Sequence, residues 1–163
     1  MRNIWKRAAA AVLALAMCLS FAGCYDENMT WAARKDDDTL PIGGYIYYLY
    51  SAYTEAASQV DSSTHVLDAQ IDGEDAEQWI KDRALTYVQS YYYINDKMAE
   101  YGLEMTEEDQ SQAENAANSL WSYYGSTFEE LGIAQSSFQK AYGEYNVKSQ
   151  KVMQAMYGEG GEL

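Results

Sequence analysis

Histidine, proline and cysteine are almost missing from this chain, which has one His, one Pro and two Cys among 163 residues. A single imidazole cannot build a zinc site, which takes several His, Cys or carboxylate ligands. His65 falls in a loop stretch and reads as a surface residue rather than a catalytic base. Positive charge is also scarce: 11 Lys and Arg stand against 25 Asp and Glu, a formal charge of −14. The phosphate backbone of a nucleic acid would repel such a chain, so nucleic acid is excluded as a partner. Only one long apolar run occurs, Ala8 to about Phe21, and it is shorter than the roughly 20 residues of a membrane span. No glycine-rich segment follows a strand and opens a helix, so there is no phosphate loop. Asp36-Asp37-Asp38 lacks Gly or Glu at calcium-loop spacing. The carboxylate groups Glu74/Asp75/Glu77 and Glu107/Glu108/Asp109 sit at expected helix starts, where the macrodipole favours anions. No residue is assigned a catalytic, metal-binding or cofactor-binding role, and the chain is not expected to be an enzyme by itself.

What is present begins at the N-terminus. Arg2, Lys6 and Arg7 precede the apolar run, the layout of a secretory signal. Leu19-Ser20-Phe21-Ala22-Gly23-Cys24 follows, with small residues just before a cysteine. This resembles the lipobox of bacterial lipoproteins, although Phe21 stands where that family most often has Leu. The resemblance implies that residues 1–23 are a lipoprotein signal peptide and that Cys24 is lipidated. Cys18 is the weaker candidate, because bulky Met17 precedes it within the apolar run. Cleavage would leave one cysteine, committed to lipid, and no intramolecular disulfide. It would also remove Arg2, Lys6 and Arg7 and no acidic residue, taking the charge from −14 to −17. Such a chain is anchored to a membrane rather than spanning it, because two or more acyl chains hold durably where one does not. Its acidity should also keep it off anionic headgroups.

Residues 24–39 are polar, carry the acidic Asp36–Asp38 run and read as a flexible tether. The single proline, Pro41, opens the folded part, residues 40–157, where the apolar period is close to 3.6 and an all-α fold is expected. A first helix over 42–58 places Ile42, Ile46, Leu49, Tyr53 and Ala56 on one face. Tyr45, Tyr47, Tyr48 and Tyr50 cover much of the remainder, and a helix apolar nearly all round is normally buried. Asp61 to Gly73 reads as a long connection with a brief extended piece. A second helix, Glu74 to Tyr101, turns Ile80, Ala84, Tyr87/Val88, Tyr91, Ile94 and Met98 inward, and Gly102 ends it. Thr106-Glu107-Glu108-Asp109 approximates a capping box before a third, polar helix that Gly125 should stop. A short helix, Thr127 to Leu131, is expected next, ending at Gly132. A last helix runs from about Ala134 to Tyr157, with Phe138, Ala141/Tyr142, Tyr145, Val152 and Met156 inward. Residues 158–163 are glycine-rich and read as a linker stub.

Certain phrases carry a further resemblance. They are Gly44-Tyr45-Ile46-Tyr47-Tyr48-Leu49, then Ile71-Asp72-Gly73 before Trp79-Ile80-Lys81-Asp82-Arg83-Ala84-Leu85, and Tyr101-Gly102-Leu103 before Met105-Thr106-Glu107-Glu108. Tyr124-Gly125-Ser126 and Phe128-Glu129-Glu130-Leu131-Gly132-Ile133 complete the set. Their order behind a lipobox resembles the N-terminal chaperone module of PrsA/SurA-type extracytoplasmic foldases, a peptidyl-prolyl isomerase family, in its clostridial lipoprotein form. The resemblance implies an irregular multi-helix module like the SurA/trigger-factor C-terminal-like helical domain. It implies a holdase on the outer face of the cell membrane, Gram-positive on resemblance, whose partners are unfolded or partly folded exported proteins. Many members continue into a parvulin isomerase domain. This sequence stops where that domain would begin, so no isomerase residues are carried over.

Most of the 16 tyrosines are expected in ordinary core packing. Tyr91-Tyr92-Tyr93, however, spans about 200° of helix surface at 3.6 residues per turn, so all three cannot face one core. Tyr47, Tyr48, Tyr92 and Tyr93 are the candidate client-binding residues. The alternative function is a structural or interaction lipoprotein that docks to one folded envelope partner. Replacing Cys24→Ser should abolish incorporation of radiolabelled palmitate and free the chain from membranes. Undiminished labelling in that variant would place the lipid elsewhere.

Overall fold

A computed structural model describes residues 31–158. The expected signal peptide, Cys24, the first part of the tether and residues 159–163 lie outside the described residues. Within them the protein is mostly helical. The order is a hairpin of β1 (Trp31–Lys35) and β2 (Asp38–Pro41), helix α1 (Ile42–Gln59), and a 3₁₀ turn (Val66–Asp68). A two-residue-arm hairpin follows, β3 (Gln70–Ile71) and β4 (Glu74–Asp75), then α2 (Ala76–Glu100) and α3 (Glu107–Glu130). The last rod is α4 (Gln135–Phe138), a π-helical segment (Gln139–Glu144) and α5 (Tyr145–Tyr157).

The first correction concerns the tether. Residues 31–39 are not flexible but form the antiparallel β1–β2 hairpin, with Lys35 opposite Asp38 and a bulge between Trp31 and Ala33. Two things hold it down. Leu40 is fully buried in the core, and the Asp38 carboxylate accepts bonds from Tyr91 Oη (3.1 Å), Asn95 Nδ2 (2.7 Å) and Lys140 Nζ (3.3 Å). The acidic run therefore splits by function. Asp36 takes a left-handed turn position at φ 53°, Asp37 faces solvent, and Asp38 pins the hairpin to α2 and the π segment.

The second hairpin was expected only as a brief extended piece. Asp72 and Gly73 have φ of 54° and 86°, the paired positive values that two-residue hairpin turns need and that Asp-Gly supplies readily. It pairs Gln70 with Asp75 and Ile71 with Glu74, and it buries Ile71.

α1 is the central element. Gly43, Gly44, Ile46, Tyr48, Leu49, Tyr50, Ala52, Tyr53 and Ala56 are all buried, as its nearly all-round apolar surface requires. α2 packs along it, and so do α4 and the π segment. Gly43 permits close contact with the α4 start, since a Cβ there would lie 2.8 Å from Ser137 Cβ. In the core built around α1 the most enclosed side chains are Leu40, Leu49, Ile80, Tyr91, Phe128, Leu131, Ile133 and Phe138. A smaller apolar cluster of Ile94, Met98 and Val152 joins the far ends of α2 and α5.

The helix ends follow the sequence signals with two exceptions: α2 begins at Ala76 rather than Glu74, because Glu74 and Asp75 form β4, and Gly125 does not act as a stop. Gly102 (φ 60°) and Gly132 (φ 80°) are the left-handed residues after α2 and α3. At each, the glycine's own amide and the next one bond back into the last turn: Gly102 N–H to Ala99 O at 3.1 Å and Leu103 N–H to Met98 O at 2.8 Å, then Gly132 N–H to Glu129 O at 3.0 Å and Ile133 N–H to Phe128 O at 2.9 Å. This is the Schellman closure. Thr106 and Asp109 make the reciprocal capping box at the start of α3. Asp109 also accepts a 2.6 Å bond from Lys151 Nζ on α5. That ammonium, together with the Thr106 contacts, holds the Asp109 carboxyl down to about 2.

Gly125 is the larger exception. It does not stop the third helix, which runs unbroken from Glu107 to Glu130 and absorbs the short helix expected at Thr127–Leu131. Gly125 is buried, and a Cβ there would meet Trp121 Nε1 at 2.7 Å. It makes room for the indole, and no left-handed turn is needed.

Gly143 has the same kind of role with less tolerance. A Cβ on it would lie 2.5 Å from the Ala113 carbonyl oxygen of α3, and backbone yields less readily than a flexible side chain. Gly143→Ala should therefore force α3 and the π segment apart and cost about 1–3 kcal/mol, typical of overpacking. A urea midpoint unchanged from the parent would refute this account of the contact.

Candidate functional site

The aromatic core continues outward into an open groove. Inside, Phe138 lies 4.9 Å from Phe128 and 5.7 Å from Trp121 between ring centroids. Tyr142 stacks on Phe138 at 5.0 Å, and Tyr47 meets Phe138 edge-on at 4.9 Å. Edge-on and offset contacts of this kind add about 0.5–1.5 kcal/mol each beyond area burial. Tyr47 and Tyr142 are only partly buried, so their outer faces remain. With Tyr48, Ser51, Tyr87, Ala141, Tyr145 and Asn146 they line a groove of about 230 Å³.

The backbone sets this wall. Between α4 and α5 the helix widens into π geometry over Gln139–Glu144, an irregularity frequent at functional sites. Ala141 O, within that segment, accepts a 3.1 Å bond from Tyr48 Oη. Burial pushes the Tyr48 hydroxyl far above its ordinary range, and the neighbouring tyrosines add to the shift. Burial likewise raises Tyr47 to about 12. These phenols are neutral donors across the physiological range.

At its α2 end the groove closes on a polar clasp. Arg83 donates two bonds to Glu55, Nε to Oε2 and Nη2 to Oε1, both at 2.9 Å. Tyr87 Oη donates to Oε2 at 2.6 Å, and the Arg83 guanidinium stands 5.2 Å from the Tyr87 ring centroid. The bidentate fork is the strong form of carboxylate pairing. It lowers the Glu55 carboxyl below its usual range, chiefly through the Arg83 bonds and then through Tyr87.

Beyond the clasp lies a second, wider groove of about 630 Å³, where Glu55, Asp72, Glu74 and Asp82 surround Trp79 and Arg83. Among the described residues no group of three or more His, Cys, Asp or Glu could hold a metal ion. No helix among them is long and apolar enough to cross a membrane.

Of the four candidate client tyrosines, Tyr47 and Tyr48 share the groove, and Tyr92 and Tyr93 do not line it. Tyr47 lines the groove with one face free. Tyr48 lines its floor but is only 5% exposed with its hydroxyl engaged, so it is a wall rather than a free contact. Tyr92 is half-buried, edge-on to Tyr91 at 5.1 Å, and its hydroxyl lies beside the Leu40 backbone without a well-directed hydrogen bond. Tyr93 is half-exposed on the opposite side of α2, with Lys97 Nζ 5.8 Å from its ring centroid.

The partners that complete the groove are Tyr87, Tyr142 and Tyr145, which periodicity had assigned simply to inward faces. Only the helix-to-helix packing shows that these faces stop short of closing. His65 is exposed, at the start of the 3₁₀ turn. No protein-family model matches the chain, and no characterised protein or solved structure is significantly similar to it.

Glu55→Gln tests the clasp. Because the folded carboxyl titrates below its ordinary value near 4.3, its contribution to stability is complete above that value and fades as pH falls through the folded one. The variant should be less stable than the parent at neutral pH, and the two should converge as acid protonates the Glu55 carboxyl of the folded parent. A gap that persists at low pH would mean the clasp contributes through packing alone.

Proposed function

We propose that this chain is a membrane-anchored extracytoplasmic chaperone module that assists the folding of exported proteins. In this proposal Cys24 carries the lipid, and the helical domain belongs with the SurA/trigger-factor C-terminal-like modules. The observation that carries the reading is the tyrosine-lined groove, an aromatic surface left open on a scaffold rigid enough to hold it open. Tyr and Trp give large contact area at small entropic cost, because few torsions are frozen. Further exposed apolar side chains, Leu85, Tyr93 and Tyr123, lie singly on the surface. The −17 charge of the lipidated form opposes self-association, as a holder of sticky clients requires.

The alternative, docking to one folded envelope partner, draws on a different observation. Met153 and Tyr157 are neighbours one turn apart on α5 and are 52% and 59% exposed. They form a small apolar step at the end of the bundle.

The full chain should suppress light scattering by a chemically denatured client at near-stoichiometric amounts, and Tyr142→Ser should weaken that suppression several-fold. Absence of suppression at large excess, with one saturable folded partner recovered from envelope extracts, would replace the chaperone reading with the docking one.

A further inference from the structure

The two grooves lie end to end on either side of the Glu55–Arg83–Tyr87 clasp, so a segment occupying both would pass over it. Along α1 the lining residues are Tyr47/Tyr48, Ser51, Glu55 and Ser58/Gln59, one turn apart. Antiparallel to them on α2 are Tyr87, Arg83 and Trp79, again one turn apart. The grooves meet where Tyr87 Oη bonds Glu55. From Tyr47 to Gln59 the track is about 18 Å long at 1.5 Å per residue. That length matches about five or six residues of extended chain at ~3.3 Å each.

The chemistry changes along the track. One end is walled by tyrosines and has no charged lining residue. The other has four carboxylates, Glu55, Asp72, Glu74 and Asp82, against the single guanidinium of Arg83. That guanidinium is already matched by Glu55 through the bidentate pair. Among the described residues the Asp82 carboxylate accepts hydrogen bonds from the neutral Gln78 amide, at 3.1 Å to each oxygen, and from no cation. Asp72 and Glu74 are exposed. Trp79 stands half-buried among these acids and offers a ring face, the best aromatic platform for a Lys or Arg head group.

We propose that this track binds an extended polypeptide segment of mixed chemistry, with apolar or aromatic residues in the tyrosine groove and Lys or Arg some four residues away over Trp79. The inference rests on the chaperone reading for its choice of occupant, an unfolded segment, and on charge complementarity for its polarity. It makes the domain a selective holder. Segments that carry apolar and basic residues in succession are retained, and apolar segments flanked by acids are rejected by the like-charged end.

The test uses fluorescence anisotropy with the full chain and two labelled peptides of about eight residues. One has two phenylalanines at one end and two lysines at the other, and its twin has glutamates for the lysines. The lysine peptide should bind at least tenfold more tightly. That margin should shrink as salt is raised, because the acidic end is exposed and screened. The triple variant Asp72→Asn, Glu74→Lys, Asp82→Lys changes only exposed side chains, and Asn keeps the left-handed turn position of Asp72 at φ 54°. It should reverse the preference. Ser51→Trp, which plugs the tyrosine end, should weaken the lysine peptide more than fivefold while the helical circular dichroism is retained.

Equal affinity for both peptides, or a preference unmoved by the triple variant, overturns the track. If the same preparation still suppresses client aggregation, only the track falls and the chaperone reading stands. Charge-selective peptide binding without suppression supports the track and overturns the holdase activity.

Discussion

The structure depends on the burial of one helix. α1 presents apolar or aromatic side chains on nearly every side, and nine of its 18 residues are buried. A helix of this kind cannot lie on a surface, because its exposed flank would cost about 25 cal/mol for each Å² of apolar area left in water. Several of the other described elements cover part of it. α2 takes one side, α4 and the π segment another, and the β1–β2 hairpin the start. Phe128 near the end of α3 reaches in to meet Tyr47 and Tyr50 edge-on. The twin glycines at its N-terminal end follow from the same demand, since they let neighbours approach where a side chain would hold them off.

Polar contacts set where the covering elements sit. Asp38 ties the N-terminal hairpin to α2 and the π segment through three donors. Glu55 ties α1 to α2 through a forked guanidinium and a phenol. Asp109 ties the start of α3 to Lys151 on α5 and closes a capping box with the same oxygen. Exposed ion pairs usually contribute about a kcal/mol or less, so these three are better understood as fixing register than as supplying stability. The driving force is apolar burial, which is non-directional. It would tolerate several slides of one helix along another, and the pins select among them.

The groove is what remains where the covering of α1 is incomplete. A regular helix through residues 139–144 would carry a different set of side chains toward α1. The π turn shifts the register by about one residue, and aligns Ala141 O with the Tyr48 hydroxyl while Tyr142 stays stacked on Phe138. Tyrosine suits such a border, with an apolar body for the inside and a polar tip that can end in water or on a carbonyl. The same side chains therefore complete the core and line the open site, which is why a single tyrosine cannot be sorted into one class from its neighbours in sequence.

Much of this was legible in the residues themselves. The all-round apolar character of α1, the spacing of Ile80, Ala84, Val88, Tyr91, Ile94 and Met98, and the helix stops at Gly102 and Gly132 are local properties, fixed by 3.6-residue geometry and by glycine's freedom at positive φ. The capping box at Thr106 is equally local. Asp72-Gly73 also carried a hairpin signal, in two residues whose turn preference can be read without any partner. Other features were decided only in three dimensions. Gly125 stops nothing because the space it leaves is taken by Trp121. Asp38 is a hub rather than part of a loose tether because Tyr91, Asn95 and Lys140, distant in sequence, converge on it. Tyr48 is a buried wall while Tyr93 faces solvent because helix packing, and not residue type, divides a helix surface into contact and border. The sequence determined which segments are helices and that α1 must be enclosed. The tertiary structure decided where that enclosure stops, because a gap between elements is a property of how they meet and belongs to none of them alone.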